Sequence, residues 1–117
     1  IPSRITVMFQ EARQMVHNSL DCLVTGDADL ARRVLDKDAD VDALNVEIIN
    51  ELAELIRANP EKVRPLLLLV SVSRNLERIA DCATNIAEDV VYMVRGVIIR
   101  HRAGDSARFG QAENATP

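Results

Sequence analysis

Glu77, Asp81 and Asn85 stand four residues apart, and Asp38 and Asp42 repeat that interval earlier in the chain. On an α-helix, residues four apart stack on one face. Each set therefore offers a short column of oxygen donors, and Glu88 and Thr84 fall in or beside the arc of the first. Carboxylates and an amide carbonyl are hard ligands, suited to magnesium, manganese, calcium or iron. The expected ligand set is Asp38, Asp42, Glu77, Asp81, Asn85 and Glu88. The metal is divalent or trivalent, with iron, magnesium, manganese and zinc as candidates. Neither column has the surroundings of a solvated face. Asp38 and Asp42 share theirs with Ala31, Leu35, Ile49, Ala53 and Ile56. The Glu77 arc is bracketed by Leu66 and Val70 before it, and by Tyr92 and Ile99 after it. Like charges one turn apart repel, and partial burial worsens this by disfavouring the charged form. A bound cation or a basic partner relieves it. In the competing reading Arg74 and Arg78, at the edge of the arc, neutralise the acids as salt bridges. The protein is then a metal-free helical interaction or dimerisation module. Asp36 and Asp40 differ: they share a face with Glu47, Glu51 and Glu54, which reads as an acidic face in water.

Three helices must position these columns. The first is expected over residues 4–25, with rows Ile5–Ala12–Ser19, Met8–Met15–Cys22 and Phe9–Val16–Leu23 forming a wide packing stripe. Gly26 ends it, since glycine accepts the left-handed conformation, and Asp27 or Asp29 caps the next helix. That second helix spans residues 29–58, with Leu30, Val34, Val41, Leu44, Ile48, Leu52 and Leu55 as its seam. Asn59 before Pro60 stops it. The third begins at Pro60 or Pro65 and ends at Gly96 or near Arg102. Its expected seam is Leu69, Val72, Leu76, Ile79, Ala83, Ile86, Val90, Met93 and Val97, on the side away from the acids. Short connections make neighbours antiparallel. The expected fold is all-α: an antiparallel up-down-up three-helix bundle over residues 1–102, then a disordered tail over 103–117 of Gly, Asp, Ser, Gln, Asn and Thr.

Composition narrows the function. The chain has 117 residues, enough for one domain with its own core. With 3% aromatic residues and a net charge of −4, it lacks both the rings that stack on bases and the basic surface that holds phosphates, so nucleic acid is not an expected partner. Cys22 and Cys82 lack metal-motif spacing and read as reduced core residues of a cytosolic protein. The apolar run at residues 65–72 is far short of the ~20 residues a membrane span needs. Contact with a membrane is then peripheral at most. His17 and His101 sit in no Glu-x-x-His arrangement of the kind used by di-metal oxidases, which argues against an enzyme. Arg95, Arg100, Arg102 and Arg108 make the C-terminal end basic. They serve solubility and the helix dipole, or contact with an acidic partner or anionic membrane surface. Tyr92 reads as interface packing.

The run Arg74-Asn75-Leu76-Glu77-Arg78-Ile79-Ala80-Asp81, continued by Ala83-Thr84-Asn85-Ile86-Ala87-Glu88, resembles the signature of the PhoU family of phosphate-uptake regulators. Leu35-Asp36-Lys37-Asp38-Ala39-Asp40-Val41-Asp42-Ala43-Leu44-Asn45 resembles the family's second-helix motif, and the Asn59-Pro60-Glu61 turn fits. The resemblance covers about residues 4–102. It implies a three-helix bundle, spectrin-repeat-like in outline and usually present twice in one chain. It also implies metal clusters, in some members, on paired acidic motifs that match Asp38 with Asp42 and Glu77 with Asp81. Members couple a phosphate ABC transporter to a sensor histidine kinase in the cytoplasm, repress the phosphate-starvation response, and are not enzymes. This chain holds one repeat, similar to the second of a full-length member. It is a piece of a two-repeat protein or a single repeat that pairs with itself. By that reading, apolar surface left over by one bundle packs on a second repeat or a second copy. Cys82 stands where the family often has histidine.

Overall fold

The computed structural model describes the backbone of residues 3–108 and the side chains of residues 3–96. Three α-helices follow one another: α1 (Ser3–Thr25), α2 (Ala28–Ala58) and α3 (Val63–Arg108), with a 3₁₀ turn (Pro60–Lys62) leading into α3. Each helix packs on both others, in the up-down-up order that the short connections require. The joints are built from local chemistry. Gly26 adopts φ 70°, and its N–H and that of Asp27 both donate to the Cys22 carbonyl, closing α1. Asp27 caps α2, its carboxylate accepting from the Leu30 N–H at 3.0 Å. At the other end Asn59 donates from both backbone and side chain to the Leu55 carbonyl. Pro65 falls in the first turn of α3, where its missing N–H has no partner to lose.

The helix boundaries follow expectation except at the end of α3. It runs through Gly96 and Gly104 and past Arg102 to Arg108, because Ala103, Ala107 and Arg108 favour helix and each glycine costs only about 1 kcal/mol. The expected disordered tail falls largely on residues 109–117, which lie outside those described, as do the side chains of Val97, Ile99, Arg100, His101, Arg102 and Arg108.

The core is aliphatic and sulfur-rich, with Met8, Met15, Val34, Val41, Ile48, Leu52 and Val90 fully buried. Here α3 departs from the expected seam. The row Leu69–Leu76–Ala83–Val90 does face inward. Its companion is Ser73–Ala80–Ala87, not Val72–Ile79–Ile86–Met93; Val72, Ile79 and Met93 are exposed. Both choices satisfy the same three-four spacing. Packing selects the smaller side chains for this companion row, which faces the long, buried methionines of α1, Ser73 meeting the Met8 sulfur. On α1 the rows of Ile5 and Met8 are buried as expected, whereas Phe9 and Leu23 are exposed and Val16 is half-buried. Leu55, at the end of the α2 seam, is also exposed. Cys22 is buried and Cys82 is exposed, so the expectation of two core cysteines fails for Cys82. Among the described residues, no helix is long and apolar enough to cross a membrane.

Candidate metal site

The acidic columns of α2 and α3 meet along the groove between those helices. Three hydrogen bonds set the register. Ser73 donates to the Asn45 amide oxygen at 2.7 Å, Asn45 donates to Glu77 Oε2 at 3.0 Å, and Ser73 also reaches the Met8 sulfur at 3.5 Å. Because α2 and α3 are antiparallel, fixing Asn45 opposite Ser73 and Glu77 brings Asp42 and Asp38 beside the next turns of α3. There Asp38, Asp42 and Asp81 each bring one carboxylate oxygen within 4.8 Å of the other two.

The electrostatics of the groove are unfavourable as it stands. Asp38 is half-buried, and its Oδ1 is shut off from solvent with no hydrogen-bond partner. Burial raises its carboxyl above the usual range, and the charges of Asp42, Asp81 and Glu88 push it further. Glu77 is raised in the same way, by burial first and then by Asp42 and Asp81. Close approach to the Asp42 carboxylate adds to this, and the hydrogen bond from the Asn45 amide opposes it. The competing arrangement, in which Arg74 and Arg78 neutralise these acids, is not seen. Among the described residues, no ion pair involves either arginine or any of Asp38, Asp42, Glu77 and Asp81. The ion pairs lie elsewhere, as in Arg4 with Glu47 and Glu51 and Lys37 with Glu11 and Asp40.

The six candidate ligands are thus placed unequally. Asp38, Asp42 and Asp81 converge. Glu77 borders them through Asp42 and is held by Asn45. Glu88 is exposed but close enough to perturb Asp38. Asn85 is exposed on α3, at the edge of the arc that holds Glu77 and Asp81. The bracketing residues divide too: Leu66 and Val70 pack against the core while Tyr92 is exposed. Asn45 and Ser73 were missed by sequence reasoning. Their signal was available, as two polar residues at core positions, one three residues after Asp42 and the other four before Glu77.

This donor set fits a hard cation. Three carboxylate oxygens converge, one neighbouring oxygen is orphaned, and among the described residues no basic side chain pairs with them. Asp38, Asp42 and Asp81 would hold it, with Glu77 and Glu88 at the margins.

Comparison with known proteins gives a consistent result. Residues 5–90 match the PhoU domain family. The chain is 38% identical over 91 residues to the phosphate-specific transport system accessory protein PhoU homolog of Pseudomonas aeruginosa, covering 78% of this chain and 38% of that protein. It is 35% identical over 96 residues to the homolog from Clostridium acetobutylicum, covering 82% and 44%. To the Escherichia coli K12 accessory protein PhoU it is 33% identical over 92 residues, covering 79% and 38%. The chain spans roughly two-fifths of the length of the curated relatives it matches. No solved structure matches it.

Proposed function

The chain belongs to the PhoU family, and on that premise we propose that it regulates phosphate uptake by docking to other proteins, with a metal held in the acidic groove between α2 and α3. The observation that carries the metal is the convergence of Asp38, Asp42 and Asp81 around a buried, unpartnered Asp38 oxygen. A bound cation supplies neutralising charge, so the carboxylates of the two helices can sit together ionised. Asn45 and Ser73 orient Glu77 beside it. The partners are a phosphate ABC transporter and its sensor histidine kinase, on the cytoplasmic side. Support comes from the relatives, whose name assigns them to the phosphate transport system as accessory proteins. We read the protein as non-enzymatic on the same ground, and as pairing with another bundle of its kind. Free phosphate is not an expected ligand of the bare groove, which is lined by negative charge and would need the metal to attract an anion.

The test has two arms. Elemental analysis of protein purified without chelator is compared with Glu77→Ala and Asp81→Ala variants; retention of equal metal by the variants defeats the site. Co-sedimentation with membranes carrying the phosphate transporter tests docking, and recovery in the supernatant at all concentrations defeats it. The exposure of Asp81, Asn85 and Glu88 favours a second reading, a metal-free interaction module. It predicts docking that is indifferent to chelator.

A further inference from the structure

One turn beyond Asp42, a buried polar chain reaches the acidic groove from inside the bundle. Ser73 is fully buried and Asn45 is 8% exposed. The Ser73 hydroxyl donates to the Asn45 amide oxygen at 2.7 Å, and the Asn45 amide nitrogen donates to Glu77 Oε2 at 3.0 Å. The direction of the chain is forced. A flipped amide sets its oxygen against a carboxylate oxygen, acceptor against acceptor. Glu77 is therefore tied through one oxygen to a buried donor, beside the groove where Asp38, Asp42 and Asp81 converge. Among the described residues, its Oε1 receives no hydrogen bond from the protein.

We infer that Asn45, held by Ser73, is a positioning residue that leaves Glu77 a single free oxygen and so makes the groove selective for a small octahedral cation over calcium. This deepens the metal reading above and rests on it. The two classes of ion differ in how many oxygens they take. Calcium takes about six to eight at ~2.3–2.6 Å and readily draws in a glutamate through both oxygens, whereas magnesium takes about six at ~2.0–2.1 Å and keeps several waters. Three aspartates on two helices and a glutamate limited to one oxygen suit the second class. To present both oxygens, Glu77 must swing Oε2 off Asn45, and the amide then loses its acceptor where water does not reach it. Leaving a buried donor unpaired shifts an equilibrium by roughly 5–150-fold. That handicap falls on calcium and spares an ion content with one oxygen. Positioning groups behind metal ligands are worth about 10–100-fold in affinity, so an effect of this size is within their reach.

Calorimetric titration of the chelator-stripped chain with manganese chloride and, separately, with calcium chloride tests this. Asn45→Ala is measured beside the parent, with Asp27→Ala, at the far end of α2, as a control for lost stability. Circular dichroism verifies helicity, and Asn45→Leu, which restores bulk without the donor, replaces Asn45→Ala if that variant fails to fold. The parent is expected to bind manganese at least ~10-fold more tightly than calcium, and the ratio should shrink at least ~5-fold without the Asn45 donor. Asp27→Ala should leave the ratio unchanged, since lost stability alone weakens both ions alike. A parent that takes calcium as tightly as manganese overturns the inference, and so does a ratio indifferent to Asn45; in both cases the metal site stands. A parent that binds neither ion overturns the metal reading as well.

Discussion

Replacing Asp38 with asparagine should make the metal-free protein more stable and the metal-loaded protein less so. The magnitude follows from the groove. Asp38 and Asp42 are like charges at i, i+4, a repulsion of about 0.2–0.5 kcal/mol. Asp81 sits across the groove, with a carboxylate oxygen within 4.8 Å. Because Asp81 is exposed, the dielectric of water applies, and this contact adds roughly 0.9 kcal/mol. The asparagine amide can also donate to either neighbour. The sum is about 1–1.5 kcal/mol, or a rise in Tm of about 5–10 °C for a domain of this size. With a cation at a hundredfold excess over its dissociation constant, the parent gains about 2.7 kcal/mol, and a variant lacking one of the three converging carboxylates loses most of that gain. The order of the two Tm values therefore reverses between chelator and metal. Scanning calorimetry in EDTA and then in manganese or iron reads this directly. A variant less stable than its parent in EDTA, or one that gains as much from metal, would refute the reasoning.

Four further outcomes are expected. Asn45→Ala removes the only hydrogen bond given to Glu77 among the described residues and leaves Ser73 without its oxygen acceptor. It should cost about 1–3 kcal/mol in a urea titration. Asp38 and Glu77 carry raised carboxyl pKa values, so the folded state holds more protons than the unfolded one as pH falls toward the usual carboxylate range. Stability of the metal-free protein should fall as pH rises through those raised values. Asp38→Asn should flatten the profile above the usual carboxylate range in thermal melts. Ala83→Leu overfills a fully buried position of α3 and should cost about 1–3 kcal/mol in the same urea assay. Asp27→Ala removes the α2 cap and should cost about 1 kcal/mol, read as a lower denaturation midpoint.

The joints and the helix count were legible because they depend on local chemistry. Gly26, Asp27 and the Asn59-Pro60 pair act within a few residues of themselves. The two acidic columns were legible from their four-residue spacing. Their meeting point was not, because it depends on how α2 slides along α3. That register is set by Asn45 and Ser73, whose pairing across two helices shows only once both helices are placed. The inner face of α3 was misread for a related reason. Hydropathy favours the row of Val72, Ile79 and Met93, while the row actually buried against the methionines of α1 is Ser73, Ala80 and Ala87, with Ser73 meeting Met8. Volume in the centre of a bundle belongs to three helices at once, so no single helix reports it.

The account turns on whether the groove between α2 and α3 binds a cation through Asp38, Asp42 and Asp81. Elemental mass spectrometry of protein purified without chelator, set beside an Asp38→Asn/Asp81→Asn double variant of verified helicity, addresses it most directly. The account predicts stoichiometric metal on the parent and little on the variant. Equal metal on both, or a parent that stays metal-free after incubation with iron, manganese or magnesium, would contradict it.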